Sequence, residues 1–299
     1  MLFSIGTILN WNKTGKIVAG GSGPKQINNP RGIYIDSDDT LYISDSGNNR
    51  IQKWTLNATV GETVAGASNG NRGSTSTTLD GPTDITFDRQ GYMYVVDSDN
   101  HRVQRYAPNS TIGETVAGAG NGNPGSSNDR LWSPRSIAVD NDLNIYITDF
   151  SNRRVMKWAP NATSGTVFFS SNTYSQPYGI ILKDGSSNEI YVSDRAKDCV
   201  NQWFFGADQP NKTIAGVNTG DLSQPYGITL DFFGNLYVAD SGKRRVFKFC
   251  VGSTTPIVVV GDSGTSPANM DPVDIAFDSN WNLYVSAHFL NAIIKFDRL

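Results

Sequence analysis

Residues 30–66 read PRGIYIDSDDTLYISDSGNNRIQKWTLNATVGETVAG, and this stretch decides the fold. It holds four short runs rich in Ile, Tyr, Val and Trp, which are separated by Gly, Asn, Asp and Ser. Such runs favour strands joined by tight turns, and they lack the 3.6-residue periodicity of a helix. The stretch therefore predicts a four-stranded antiparallel unit.

The same unit recurs along the whole chain. Its opening motif, a proline followed three residues later by an isoleucine, appears six times at intervals of 43 to 52 residues, beginning at Pro30, Pro82, Pro134, Pro177, Pro225 and Pro272. Four strands repeated at this spacing are typical of propeller blades, which bury both faces of every sheet by stacking around an axis. We predict an all-β fold, a six-bladed β-propeller of four-stranded antiparallel blades.

The strand count also predicts how the ring closes. The sixth unit stops after its third strand at Phe296, and Lys16 to Gly20 repeats the fourth strand without a blade of its own. We expect this N-terminal strand to complete the C-terminal blade, which removes an open sheet edge. The predicted division is an N-terminal extension over residues 1–15 and a propeller over 16–299. Leu2 to Leu9 then has no place within the chain, and pairing of this segment with a second copy would give a homo-oligomer or polymer.

These repeats resemble the NHL-repeat family, whose unit combines a Pro-x-Gly-Ile strand, a Tyr-Val-x-Asp strand and an Asn-x-Arg-Val/Ile strand. The resemblance extends over residues 17–296 and implies a six-bladed propeller, whereas it does not imply one activity, because such folds carry many functions. The chain departs from the pattern at Lys183, Cys199 and Ala287.

Composition excludes several classes of protein. The 299-residue chain has a net charge of −3, which argues against the broad positive surface that nucleic-acid binding needs, so we expect no nucleic-acid partner. It has no apolar run of the ~20 residues that a membrane span requires. Its two cysteines, Cys199 and Cys250, are too few for a disulfide scaffold, and they are predicted at opposite ends of their strands, too far apart to pair.

Residues that recur in every blade are spread around the ring, so they do not converge on one substrate. Pairs such as Asp45 with Arg50 and Asp149 with Arg154 therefore fit a structural role in the turns. Two histidines do not make a zinc site, and we identify no catalytic or metal-ligating set. Asp84 and Asp274 lie two residues after their prolines and offer carboxylates for calcium, although calcium prefers six or more oxygens. We expect no cofactor, with calcium as the alternative.

Positions that differ between blades are better candidates for specificity. The residue after each motif proline is predicted at one mouth of the central channel; the six are Arg31, Thr83, Arg135, Tyr178, Tyr226 and Val273. Arginine and tyrosine can bind an anionic or sugar-like ligand by hydrogen bonds and stacking, and the alternative is an ordinary polar rim. The predicted ligand-binding residues are Arg31, Asp84, Arg135, Tyr178, Tyr226 and Asp274.

Acceptor motifs for N-glycosylation precede the predicted fourth strands. They begin at Asn12, Asn57, Asn109, Asn161 and Asn211. An asparagine turn copied with each repeat would explain their position, and so would glycans on exposed loops of a secreted protein. We predict a secreted, glycosylated binding or structural scaffold for a protein or glycan partner, without catalysis. The alternative is a divergent calcium-dependent propeller hydrolase or lyase.

Overall fold

The computed structural model describes residues 9–21, 27–170, 175–183, 189–207, 210–216, 218 and 220–299. Within them lie six four-stranded antiparallel sheets, the blades of the predicted propeller. Strand β1 (Lys16–Gly20) belongs to the last blade. Blade I follows with β2 (Pro30–Ile35), β3 (Leu41–Asp45), β4 (Arg50–Trp54) and β5 (Glu62–Gly66). Blade II contains β6 (Pro82–Phe87), β7 (Met93–Asp97), β8 (Arg102–Tyr106) and β9 (Gly113–Gly118).

The other four blades have the same order from the inner to the outer strand. Blade III contains β10 (Ile137–Val139), β11 (Ile145–Asp149), β12 (Arg154–Trp158) and β13 (Thr166–Phe169). Blade IV contains β14 (Pro177–Leu182), β15 (Glu189–Asp194), β16 (Cys199–Phe204) and β17 (Lys212–Ala215). Blade V contains β18 (Pro225–Leu230), β19 (Leu236–Asp240), β20 (Arg245–Phe249) and β21 (Ile257–Val260). Blade VI contains β22 (Pro272–Phe277), β23 (Leu283–Ala287), β24 (Ala292–Phe296) and β1.

The first strand of each blade lies at the hub. Each of these inner strands contacts the next, from β2 through β6, β10, β14 and β18 to β22, and β22 in turn contacts β2. The six motif isoleucines are buried between the blades: Ile33, Ile85, Ile137, Ile180, Ile228 and Ile275. Burial of these side chains removes apolar surface from water at every blade interface, so the repeated motif stabilises the whole ring.

The N-terminal strand completes the C-terminal blade, as the sequence predicts. Strand β1 pairs antiparallel with β24, with Lys16 opposite Lys295. The segment before it is also part of this blade, because Trp11 is buried, stacks on Phe277 at 5.8 Å and donates its indole N–H to the Trp281 carbonyl at 2.9 Å. Leu9 is buried in the same cluster, so the expectation that it has no place within the chain is wrong. Residues 2–8 of that segment lie outside the described residues.

Recurring aspartates and arginines hold the turns between the second and third strands. Asp149 is fully buried, and it accepts hydrogen bonds from Trp132 N at 2.7 Å, Asn152 Nδ2 at 2.8 Å and Arg154 Nε at 2.7 Å. The structural interpretation of these pairs is therefore confirmed.

Both cysteines are free thiols, with Cys199 at the start of β16 and Cys250 directly after β20.

The strand order defines two faces of the disc. We call the face that carries the motif prolines and the second-to-third strand turns the upper face. The lower face carries the first-to-second and third-to-fourth strand turns. Within the described residues, no helix has the length and hydrophobicity needed to cross a membrane.

Candidate functional site at the hub

Three of the predicted site residues meet over the channel axis at the upper face. Arg31 Nη1 of blade I donates to the Tyr178 hydroxyl of blade IV at 3.0 Å. These blades stand opposite each other in the ring, so the Arg31 side chain crosses the axis. The Tyr178 ring lies 4.4 Å from the Tyr226 ring, centroid to centroid. Together these side chains cover the centre of the upper face.

Two further arginines join this group through neutral partners. Arg135 lies over the Phe150 ring at 5.1 Å and donates to Ser98 Oγ at 3.4 Å. Arg195 lies over the Tyr226 ring at 5.4 Å, and it donates to the side-chain oxygens of two glutamines at 3.2 Å each, Gln176 and Gln224. We call Arg31, Arg135, Arg195, Tyr178 and Tyr226 the upper cluster.

Sequence reasoning missed Arg195 and Phe150. Both directly follow the aspartate that ends the second strand of their blades, and this position differs from blade to blade: Ser46, Ser98, Phe150, Arg195, Ser241 and His288. The criterion used for the residue after each proline, that a position differs between blades, would also have identified this second set. The two sets together surround the hub on its upper side.

The upper cluster has an excess of positive charge. None of the ion pairs between described residues involves Arg31, Arg135 or Arg195, whereas Arg102 and Arg154 each pair with a buried aspartate. The Tyr178 hydroxyl raises the pKa of Arg31 and outweighs the opposing effect of burial, so this guanidinium stays charged. The Nε atoms of Arg135 and Arg195 are buried and have no hydrogen-bond partner among the described residues.

Asp84 and Asp274 lie one residue further into the hub and bridge neighbouring blades. Asp84 Oδ2 accepts from Ser136 Oγ at 2.6 Å and from Ile137 N at 3.0 Å. Asp274 Oδ2 accepts from Ile33 N at 2.8 Å. These bonds satisfy amides on the inner edges of blades I and III, where no further strand can pair.

Glycine makes room for these carboxyl groups. A Cβ atom on Gly32 would lie 2.6 Å from Asp84 Oδ1, and one on Gly227 would lie 2.0 Å from Asp274 Oδ1. Burial raises the pKa of Asp84 to about 6. Burial also raises the pKa of Asp274 well above its ordinary value, and the nearby charge of Asp84 adds to this effect.

The carboxyl pair does not fit a calcium site. Calcium needs six or more oxygen ligands, and the Asp84 and Asp274 oxygens already accept hydrogen bonds from backbone amides. In the part of the chain that the structure describes, no three His, Cys, Asp or Glu side chains gather where they could hold a metal ion.

A channel cavity of about 400 Å³ extends from the carboxyl pair toward the lower face. Its lining includes Asp84 and Asp274 at the hub and Phe277 and Trp281 near the lower face, whereas the upper cluster does not line it. The six predicted ligand-binding residues are therefore divided between two layers. Arg31, Arg135, Tyr178 and Tyr226 lie above, and Asp84 and Asp274 lie below them.

All five glycosylation motifs lie at the lower ends of outer strands, and their asparagines are exposed. Asn57, Asn109 and Asn161 are equivalent turn residues with φ of 64°, 61° and 61°, a left-handed conformation that favours asparagine and glycine. Glycine occupies this position in blades IV and V. Asn211 directly precedes β17, and Asn12 Oδ1 accepts from Thr14 N at 2.9 Å. The upper face is free of these motifs.

Comparison with known proteins supports the repeats seen in the sequence. The family model of the NHL repeat matches residues 28–54, 79–106 and 131–158, which correspond to the first three strands of blades I to III. Three segments of the chain therefore match the NHL repeat. NHL repeat-containing protein 2 of Bos taurus is 23% identical over 300 residues, and the match covers 90% of this chain. The chain spans 38% of the length of that relative.

Solved structures of other propellers share the fold. A structure described as a proposed gluconolactonase superposes with a TM-score of 0.71 and 14% identity, covering 95% of this chain and 92% of the other. Virginiamycin B lyase from Staphylococcus aureus superposes with a TM-score of 0.62 and 15% identity, covering 92% and 85%. Identities this low show a common fold and nothing about a common activity.

Proposed function

We propose that this NHL-repeat propeller is a binding or structural scaffold that engages a protein or glycan partner through its upper face. The observation that carries this proposal is the upper cluster, in which three arginines meet at the hub without a carboxylate partner among the described residues. The three arginines are partly buried, whereas an arginine with a structural role in this chain pairs with a carboxylate, as Arg154 does with Asp149. A partner that supplies acceptors would complete the hydrogen bonding of the cluster.

A secreted, glycosylated form of the protein is part of the proposal. Exposure of all five acceptor asparagines supports it, because an attached glycan needs solvent and space. Glycans at these sites would extend from the lower face and leave the upper cluster free for a partner. Self-assembly through residues 2–8 is a further proposal on this scaffold.

A charge reversal on each face tests the proposal. The chain is applied to arrays of glycans and of extracellular proteins, alongside Arg195→Glu on the upper face and Arg105→Glu near the lower face. Arg105 is a matched control because it is a partly exposed arginine whose own partner is Glu114. We expect the wild type and Arg105→Glu to bind the same ligands, and Arg195→Glu to lose them. Equal binding by both variants would exclude the upper face.

The second candidate function is a propeller hydrolase or lyase. It is supported by the channel cavity, which ends at two carboxyl groups whose pKa values are raised, an arrangement suited to acid–base chemistry. The fold itself is compatible with such chemistry, because a proposed gluconolactonase and a lyase share it. Turnover of a panel of lactones and esters by the wild type, abolished in Asp84→Asn, would favour this function over the scaffold.

A further inference from the structure

We infer that the upper cluster binds an acidic saccharide, with its arginines holding the carboxylate or sulfate groups of the sugar. This inference rests on the proposed function and names the ligand class of the same surface. It follows from two features of the cluster, its arginines without ion pairs and the kind of polar groups around them.

The first feature is charge without an ion pair among the described residues, although Asp99 acts on Arg31 at longer range. Arg31, Arg135 and Arg195 converge from blades I, III and IV, and their contacts are to hydroxyl groups, amide oxygens and aromatic rings. A guanidinium loses hydration when it is partly buried, and hydrogen bonds to neutral acceptors compensate this loss less well than hydrogen bonds to a carboxylate do. An anionic ligand would relieve this cost.

The aromatic rings fix the orientation of the guanidinium groups that lie over them. Phe150 supports Arg135, and Tyr226 supports Arg195, each from one face of the guanidinium. A guanidinium stacked in this way is held in one plane, and the N–H groups that it does not use within the cluster can donate to a planar carboxylate or to sulfate oxygens. The cluster is thus already organised for an oxyanion before a ligand arrives, which lowers the entropic cost of binding.

The second feature favours a sugar over an acidic peptide. The groups beside the arginines both donate and accept hydrogen bonds: the Tyr178 hydroxyl, the Ser98 hydroxyl and the amides of Gln176 and Gln224. An acidic sugar carries hydroxyls that use both kinds of partner beside its acid group, whereas the side chains of an acidic peptide offer only acceptors. Trp132 and Phe289 are exposed on the same face by 48% and 65%, and they offer flat apolar surfaces to a sugar ring.

The test uses the full chain and defined probes in isothermal titration calorimetry. The acidic probes are a hyaluronan tetrasaccharide, sialyllactose and a heparin tetrasaccharide; chitotetraose is the neutral probe and a tetraglutamate peptide is the peptide probe. We expect at least one acidic saccharide to bind more tightly than chitotetraose and tetraglutamate. Its affinity should fall as NaCl is raised, because the contact is between charges.

Variants assign the binding to the cluster. Arg195→Ala should weaken the acidic saccharide by about ten-fold or more, since a hydrogen bond to a charged group is lost. Arg31→Lys keeps the charge but loses the planar fork, and it should also weaken binding. Arg105→Ala should bind as the wild type does, and thermal unfolding of each variant confirms that it is folded.

Each other outcome overturns the inference in a distinct way. Equal affinity for tetraglutamate would show that the site recognises acidic peptides. Equal affinity for chitotetraose, or unchanged binding by Arg195→Ala, would remove the arginines from recognition. If no acidic saccharide binds while another partner still needs Arg195, the inference fails and the proposed function stands. If no ligand depends on the upper face, both fail.

Discussion

Replacing Asp149 with alanine should strongly destabilise the propeller. The carboxylate is fully buried and accepts three hydrogen bonds at 2.7–2.8 Å, from Trp132 N, Asn152 Nδ2 and Arg154 Nε. Its removal leaves the Arg154 guanidinium buried without a counterion. Breaking a buried ion pair in this way costs about 3–5 kcal/mol, a large part of the total stability of a domain.

Removing the arginine should cost less than removing the aspartate. Blade IV has Cys199 at the arginine position, and its Asp194 remains buried and accepts hydrogen bonds from Ser175 N and Gln176 N at 2.7 and 3.0 Å. Backbone amides can therefore sustain the carboxylate. We expect Arg154→Met to cost about 1–3 kcal/mol, since the charged hydrogen bond is lost but the carboxylate keeps its other donors.

Urea unfolding followed by tryptophan fluorescence measures these differences. The control is Asp142→Ala, because Asp142 is exposed on a neighbouring turn and should change stability by less than about 0.5 kcal/mol. The expected order of urea midpoints, from lowest to highest, is Asp149→Ala, Arg154→Met, Asp142→Ala. A midpoint for Asp149→Ala equal to that of Asp142→Ala would refute the argument that recurring polar residues stabilise the blades.

Three further predictions concern pH, the hub and the turns. Burial raises the pKa of Asp84 and Asp97 from 3.8 to about 6, so between about pH 4 and 6 the folded state binds more protons than the unfolded state. Stability should therefore rise as pH falls from 7.5 to 5, and a melting temperature that falls over this range would contradict it. Gly227→Ala places a Cβ 2.0 Å from a hub carboxyl oxygen and should lower the melting temperature by several degrees, whereas Gly120→Ala, with no atom within 4 Å, should not. Because Asn57 has φ of 64°, Asn57→Ala should cost about 1 kcal/mol in urea unfolding and Asn57→Gly much less; equal costs would remove the conformational explanation.

The fold could be predicted because its information is local and repeated. Each blade carries its own strand residues, turn residues and motif isoleucine, so six weak signals in register support one architecture. Closure by β1 followed from counting strands. The burial of Leu9 could not be found in this way, because one leucine outside the repeat pattern has no periodicity to place it. Its position depends on tertiary contacts with blade VI.

The sequence predicted where the candidate residues lie in the ring but not which of their side chains contact each other. The residue after each motif proline lies at the hub, as the variability argument requires. That argument did not show that Arg31 reaches across the axis to Tyr178, because contact between side chains 147 positions apart depends on ring diameter and rotamers. It also treated Asp84 and Asp274 as part of the same mouth. One step along a strand turns a side chain to the other side of the sheet and deeper into the hub, which explains the two layers.

The two layers carry side chains of opposite charge type, and they are reached from opposite faces of the disc. The two candidate functions therefore use different parts of the molecule. A ligand at the upper face meets guanidinium groups and would be anionic. A substrate in the channel would approach from the lower face, past Phe277 and Trp281, and would meet carboxyl groups at the far end. Arg31 and Tyr178 cover the axis between them. Arg195→Glu should therefore abolish binding by the scaffold while leaving any chemistry in the channel unchanged, and Asp84→Asn should do the reverse. One pair of variants, measured in both assays, distinguishes the two functions even before the natural ligand is identified.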